Sequence, residues 1–254
     1  MPTVFVRNEV LVHADSAAVD TLAAHISRKI RLKTTRYNLD TRVREWQIDC
    51  DWSVGTKEAY FRLLRKLKES NAQVRLSATI RLHQLKYAKQ TGVPPVDRGM
   101  LMLYNMSDVA KPQTRNSILD IAVTRQYITA KTTYALPLDM ALPAFAWGVV
   151  LQGAKVVGLQ NNWTAKYCEK CSFLQKNKTG KYICTRDTVI GERYWRRGDA
   201  VRLEEATLAD IQTLATLTTA LRKADTTAVA LFGWHEAMYA HYGKNDLISR
   251  WEAF

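Results

Sequence analysis

The sequence predicts an α/β protein, a TIM-type (β/α) barrel of parallel strands, from three observations. Apolar strand-like runs alternate with amphipathic helical stretches five or six times along the 254 residues, which is the pattern of parallel β/α units. Several of these runs end in polar side chains, and folds of this kind place ligand sites at strand C-terminal ends. One run, 46–52, contains Asp49-Cys50-Asp51, two carboxylates on alternate positions that a strand directs to one face. Aspartate is disfavoured in strands and costly to bury unpaired, so the pair marks the centre of a site. A hydrophobic share of 47% over this length suffices for a single domain spanning 1–254.

The elements follow in order. Val4, Phe5 and Val6 open a strand, with 10–12 as its exit. Asp15 and Ser16 cap a helix reaching to about Ile30, with Val19, Leu22, Ala23 and Ile26 on one face. The 28–44 stretch carries seven basic residues against one acid, Asp40, the composition of a solvated helix end and loop. After the 46–52 strand, Thr56 caps a helix whose Tyr60, Phe61, Leu64 and Leu67 form an apolar stripe. A second strand is expected over 74–84, with Arg81, His83 and Gln84 at its tip as hydrogen-bonding groups. The loop after it holds Gly92, Pro94 and Pro95 together with Asp97 and Arg98.

The run 99–106 is almost wholly apolar, as strands covered on both faces are, and ends in Tyr104 and Asn105. A helix near 117–127 precedes a strand within 134–147 that carries Asp139 near its start and Trp147 further on. The segments 149–151 and 156–159 form a hairpin around Gly153. A basic excursion, about 161–202, follows with ten Lys or Arg and four acids. A helix over 207–223 then leads to a last strand, 227–236, ending in Trp234, His235 and Glu236.

The net charge of +13 and a pI of about 9.7 favour anionic partners. No run of eighteen apolar residues is present, so no membrane span is expected, and the N-terminus lacks the form of a signal peptide. Four cysteines leave the redox compartment open. Cys168-x-x-Cys171 has zinc-like spacing, but only Cys184 follows, a weak zinc set that needs a fourth ligand from Cys50 or His235. Free thiols or one disulfide suit the same residues. No cofactor motif is present. Nucleic acid is a rival partner, because Tyr167, Tyr182, Tyr194 and Trp195 interleave with the basic residues of the excursion.

Ile48-Asp49-Cys50-Asp51-Trp52 resembles the acid-rich fourth strand of chitinase-type (family 18) glycoside hydrolases. Met102-Leu103-Tyr104-Asn105 is similar to their sixth-strand motif, Leu138–Pro143 to the seventh strand, and Leu231-Phe232-Gly233-Trp234 to the eighth, with its substrate-facing Trp. Nearly the whole chain looks like an uncharacterised bacterial family of exported, glycosidase-like (β/α) barrels, chiefly through 46–51, 76–84 and 94–99. The resemblance implies a barrel that begins near its third strand and so lacks its first strands. It also implies an extracytoplasmic setting and an oligosaccharide or polysaccharide partner, which the basic charge would make an anionic one.

In that family a Glu two residues after the last Asp is the general acid, and here the position is Ser53. Serine cannot protonate a glycosidic oxygen near neutral pH, so the chemistry falls to other groups. Asp51 is the expected acid, tuned by like-charge repulsion from Asp49. Asp97, Asp139 or Glu236 would supply an opposing carboxylate, and Tyr104 would position the substrate. Arg81, His83, Gln84, Arg98, Asn105 and His235 would bind hydroxyls or a carboxylate, and Trp147 and Trp234 would offer faces to sugar rings. A non-catalytic carbohydrate-binding barrel is the alternative that Ser53 favours.

Overall fold

The computed structural model describes residues 1–222, 227–233 and 235–254. They fall into two compact units. One comprises Met1–Met102, Tyr127–Met140 and Thr219–Ala228, the other Leu103–Gln126, Ala141–Thr218 and Val229–Phe254.

The first unit opens with β1 (Thr3–Phe5), a single 3-10 turn and α1 (Ser16–Arg36). Asp15 caps α1 by accepting the Ala18 N–H at 2.8 Å, which satisfies an amide without a helical partner. The helix continues past the expected end near Ile30, because neither Gly nor Pro interrupts it and Ile30 and Thr34 prolong its buried stripe. There follow β2 (Glu45–Asp49), α2 (Lys57–Ser70), β3 (Arg75–Ile80), α3 (Leu82–Lys86), α4 (Ala88–Thr91) and β4 (Arg98–Met102). β1, β2, β3 and β4 pair in that order, all parallel. Gly99 permits close packing, since a Cβ on it would lie 2.8 Å from side-chain carbons of both Ile80 and Leu138.

Expected strands are shorter than predicted, two of them with a visible cause. The 74–84 run leaves the sheet at Ile80, and Arg81 precedes α3 rather than sitting on a strand. Gln84 explains the break: its Oε1 accepts the Arg81 N–H at 2.8 Å, which starts the helix. Likewise Tyr104 and Asn105 lie beyond β4, with Asn105 in the left-handed region at φ 52°, a conformation Asn tolerates.

The chain continues with α5 (Ile121–Tyr127), β5 (Leu138–Pro143), β6 (Ala146–Gln152), β7 (Lys155–Asn161) and α6 (Ala165–Lys170). Next come β8 (Leu174–Lys176), β9 (Tyr182–Cys184), β10 (Thr188–Ile190), β11 (Arg193–Trp195) and β12 (Ala200–Glu205). The last elements are α7 (Leu208–Leu217), β13 (Val229–Phe232) and α8 (Glu236–Glu252). β5 lies beside β4: Gly99 donates to the Pro137 carbonyl and Leu103 to that of Ala141, a constant parallel offset. Met140 donating to Ala228 and Ala144 to Phe232 add β13 in the same sense. The result is a six-stranded parallel sheet in the order β1-β2-β3-β4-β5-β13. The expected strand–helix rhythm is realised as a mixed α/β fold.

The second unit has its own sheet, antiparallel, in the order β7-β6-β12-β9-β8, with β10-β11 as a separate hairpin. The predicted hairpin about Gly153 is β6-β7. The basic excursion supplies most of the remaining strands, and its apolar side chains make a core. Trp163 stacks on Trp195 with ring centroids 5.3 Å apart, and Phe173, Tyr182, Cys168 and Cys184 are buried with them. Two of the four aromatics that suggested a base-stacking surface, Tyr182 and Trp195, are therefore interior residues. The strand expected over 227–236 ends at Phe232, and His235 instead caps α8, its Nδ1 accepting the Ala237 N–H at 3.2 Å. Among the described residues no helix is long and apolar enough to cross a membrane.

Candidate functional site

The acid pair lies where β2 ends. Ile48, Cys50 and Trp52 are fully buried, whereas Asp49 is half-buried and Asp51 exposed, so the chain keeps its alternation past the strand and both carboxylates share a face. The opposite face is clamped. Trp52 stacks on Tyr60 at 5.0 Å and donates its Nε1–H to the Thr91 carbonyl at 2.9 Å, and the Tyr60 hydroxyl donates to the Ile48 carbonyl at 3.1 Å. This packing of α2 and α4 fixes the backbone that carries the acids.

The two acids have different surroundings. Thr79 on β3 donates its hydroxyl to Asp49 Oδ1 at 2.6 Å. Burial nevertheless raises Asp49 above the ordinary carboxylate value, with the Asp51 charge adding to it, against the opposing pull of Thr79 and Arg81. Asp51 Oδ2 is held 2.7 Å from Arg81 Nη1. Burial thus favours the protonated form at Asp49, the more deeply placed of the two, whereas the sequence reading gave the acid role to Asp51. His83, on the outer side of α3, is pushed below the ordinary imidazole value by partial desolvation and by Arg81. Asp49, Asp51, Arg81 and His83 form one charged cluster.

Gln84 does not belong to it. Fully buried, it accepts from the Arg81 N–H and donates to the Trp52 carbonyl at 3.1 Å, so its amide ties α3 to the segment after β2. Ser53 is also committed to local structure. Its N–H donates to Thr56 Oγ1 at 3.0 Å, and the Thr56 hydroxyl donates to Asn8 rather than capping α2 as expected.

Asp97, Arg98 and Asp139 lie at the N-terminal ends of β4 and β5, the opposite strand ends from the acid pair. Asp97 meets Lys68 Nζ at 2.6 Å and accepts the Leu76 N–H at 2.9 Å. These contacts outweigh burial and hold its carboxyl low. Asp139 and Arg98 form an interior ion pair at 2.9 Å, and Asp139 also accepts the Ala228 N–H at 2.7 Å. All three expected substrate-binding residues are joined to strand registry and do not meet Asp49.

In the second unit, Tyr104 is buried, its ring stacked on Phe232 at 4.5 Å and 8° and edge-on to Phe145 at 6.1 Å. Trp147, on β6, lies 5.2 Å from Phe145 and donates its Nε1–H to Glu204 at 2.8 Å. These rings form an aromatic cluster with Phe232 half-exposed at its rim. Glu204, which the sequence reading missed, is a buried carboxylate that also accepts from Ser117 and from Arg202 Nε at 2.7 Å. The signal was present in Val201-Arg202-Leu203-Glu204, a strand pattern with charges on its alternate positions. His235 and Glu236 are exposed in the first turn of α8, and Asn105 is exposed. Trp234 lies outside the described residues.

Among the described residues, no three His, Cys, Asp or Glu side chains are arranged to hold a metal ion. Cys168, Cys171 and Cys184 do not converge as a zinc set, and all four cysteines are free thiols. Cys168 and Cys184 belong to the apolar core, while the Cys184 thiol donates to the Arg186 carbonyl at 3.0 Å.

No protein-family profile matches the sequence, and no curated protein matches it. Solved structures do resemble the fold. The spore cortex-lytic enzyme SleL of Bacillus cereus matches with a TM-score of 0.53 and 14% identity, covering 100% of this chain and 59% of SleL. The protein ydhD of Bacillus subtilis, assigned as a sporulation-specific glycosylase, gives 0.48 and 12%, covering 90% of this chain and 78% of ydhD. A chitinase from Chromobacterium violaceum gives 0.43 and 11%, covering 89% and 73%. The class defined here is an α/β fold with a six-stranded parallel sheet, similar in fold to SleL. The chain spans about three-fifths of the length of SleL.

Proposed function

We propose that this chain is a carbohydrate-active protein of the (β/α) barrel type, a glycoside hydrolase acting through Asp49 and Asp51. The observation that carries the proposal is the unequal acid pair at the end of β2, with Asp49 raised by burial and Asp51 ion-paired to Arg81. Asp49, in the protonated form that burial favours, protonates the leaving glycosidic oxygen. Asp51 faces the positive charge that builds on the sugar ring, and water completes the hydrolysis and restores the Asp49 proton. Arg81 and His83 bind substrate hydroxyls beside them. The description of SleL as a cortex-lytic enzyme supports a polysaccharide substrate and an extracytoplasmic setting as parts of the same proposal.

The test is hydrolysis of labelled oligosaccharides by the full chain, compared with Asp49→Asn and Asp51→Asn. General acid catalysis contributes roughly 100- to 10,000-fold, so either change should reduce turnover on that scale with the fold intact by circular dichroism. Turnover that survives both substitutions removes the proposal.

A second reading is favoured by one observation: Ser53, at the position of the family acid, is bound into a turn with Thr56. A barrel that binds sugar without cleaving it fits that residue. Saturable binding with no turnover at high protein concentration would establish it.

A further inference from the structure

The basic excursion folds into a cleft that is independent of the acid pair. It has a volume of about 710 Å³, within the range of ligand clefts, and Lys176, Lys178 and Arg197 are among its lining residues. No carboxylate lines it, and among the described residues none of these three cations is in an ion pair.

Both basic walls are set by the backbone. On one, Asn177 Oδ1 accepts from the Thr179 N–H at 2.9 Å, the Thr179 hydroxyl at 2.8 Å and the Lys181 N–H at 3.0 Å, which fixes the β8-β9 turn that carries Lys178. Lys176, at the end of β8, lies with Nζ 5.7 Å from the Tyr182 ring centre. On the other wall, Asp199 accepts the Arg196 N–H at 3.0 Å, Asp187 the Arg197 N–H at 2.7 Å, and Gly198 donates to the Cys184 carbonyl at 2.8 Å. The Asp187 carboxylate is further engaged by the Tyr194 hydroxyl at 2.9 Å. The cations are thus presented from ordered turns rather than from free chain, so a ligand does not have to order the backbone that carries them.

We infer that this cleft binds a carboxylate-bearing polysaccharide. Three cations and no acid among the lining residues suit an anion. An Arg fork matches a carboxylate in two parallel hydrogen bonds, and the amides of Gln175 and Asn177 suit sugar hydroxyls. Nucleic acid is disfavoured because no aromatic residue is among those lining the cleft, which leaves its wall without a stacking platform. The inference does not require Asp49 or Asp51, and so it stands or falls separately from hydrolysis.

Polygalacturonate, neutral dextran and oligothymidylate serve as probes of the full chain, by calorimetry or fluorescence at fixed ionic strength. The expected result is binding of polygalacturonate but not dextran, weakened about tenfold or more in Lys176→Ala/Lys178→Ala/Arg197→Ala. Lys29→Ala/Lys33→Ala, which removes charge from α1, should bind unchanged. No binding, or equal weakening by both sets of lysine substitutions, would overturn the inference by reducing it to net charge. Tighter binding of oligothymidylate than of polygalacturonate, lost in the triple variant, would overturn it in favour of nucleic acid.

Discussion

Thr79 on β3 donates its hydroxyl hydrogen to Asp49 Oδ1 on the neighbouring β2 across 2.6 Å. This bond opposes the effect of burial, which raises Asp49. Thr79→Val keeps the shape of the side chain and removes the donor, so the ionised form of Asp49 loses support and its pKa rises further. If Asp49 is the proton donor, hydrolysis falls as pH rises through its pKa. The alkaline limb of the pH–rate profile should therefore move to higher pH in Thr79→Val. A profile that stays in place separates Asp49 from proton transfer.

Asp49 also makes stability depend on pH in an unusual sense. Its folded value lies above the ordinary 3.8, so the folded chain binds this proton more tightly than the unfolded one. The resulting stabilisation is full below the unfolded value and is lost as pH rises through the folded one. Near neutral pH the charged, half-buried carboxylate is a liability that Asp49→Asn removes. Thermal unfolding should show the Asp49→Asn variant with a raised Tm near pH 7 and no such gain near pH 3. An equal gain at both pH values would place the effect elsewhere.

The thiols give a test of the cysteine assignment. Burial pushes both Cys50 and Cys168 up to about 12, and Cys184 is also raised by burial, whereas Cys171 is the partly exposed one. Reactivity follows the thiolate fraction and access. A disulfide-exchange reagent applied to the native protein should therefore modify Cys171 first, with the other three reacting only on unfolding. Loss of the fast phase in Cys171→Ser checks it. Stoichiometric zinc in the purified protein that blocks all three of Cys168, Cys171 and Cys184 would contradict the free thiols.

How far the sequence could be read depended on the range of the forces involved. Alternation exposed Asp49 and Asp51 because the pattern of one strand decides which side chains share a face. The same logic failed at Arg81 and Gln84, where an amide reaching back to the Arg81 N–H ends the strand and begins a helix. Periodicity contains no term for such a bond. Arg98 and Asp139 read as ligand groups because polar residues in apolar strands suggest sites. Strand length, fixed only by pairing, puts them at the far ends of β4 and β5. Tyr182 and Trp195 looked like a stacking surface until the antiparallel pairing of the excursion gave them a core to fill.

Strand alternation could have marked Glu204, but not its partners, which are 57 and 87 residues away in sequence at Trp147 and Ser117. Glu204 is the strongest stability prediction. Its side chain is wholly inaccessible, and it accepts from the Ser117 N–H at 2.9 Å, the Ser117 hydroxyl, Trp147 Nε1 at 2.8 Å and Arg202 Nε at 2.7 Å. Arg202 in turn donates to the carbonyls of Val109, Lys111 and Pro112, so one carboxylate joins β6, β12 and the 109–117 loop. Glu204→Ala leaves a buried guanidinium without its anion and three further donors without an acceptor, at a cost of about 3–5 kcal/mol. Trp147→Phe removes a single donor and should cost about 1 kcal/mol from that bond, plus what the smaller ring gives up in packing. Urea unfolding of the two variants should rank them in that order. A loss below about 1 kcal/mol in Glu204→Ala would mean that solvent reaches this carboxylate and that the network does not organise the sheet.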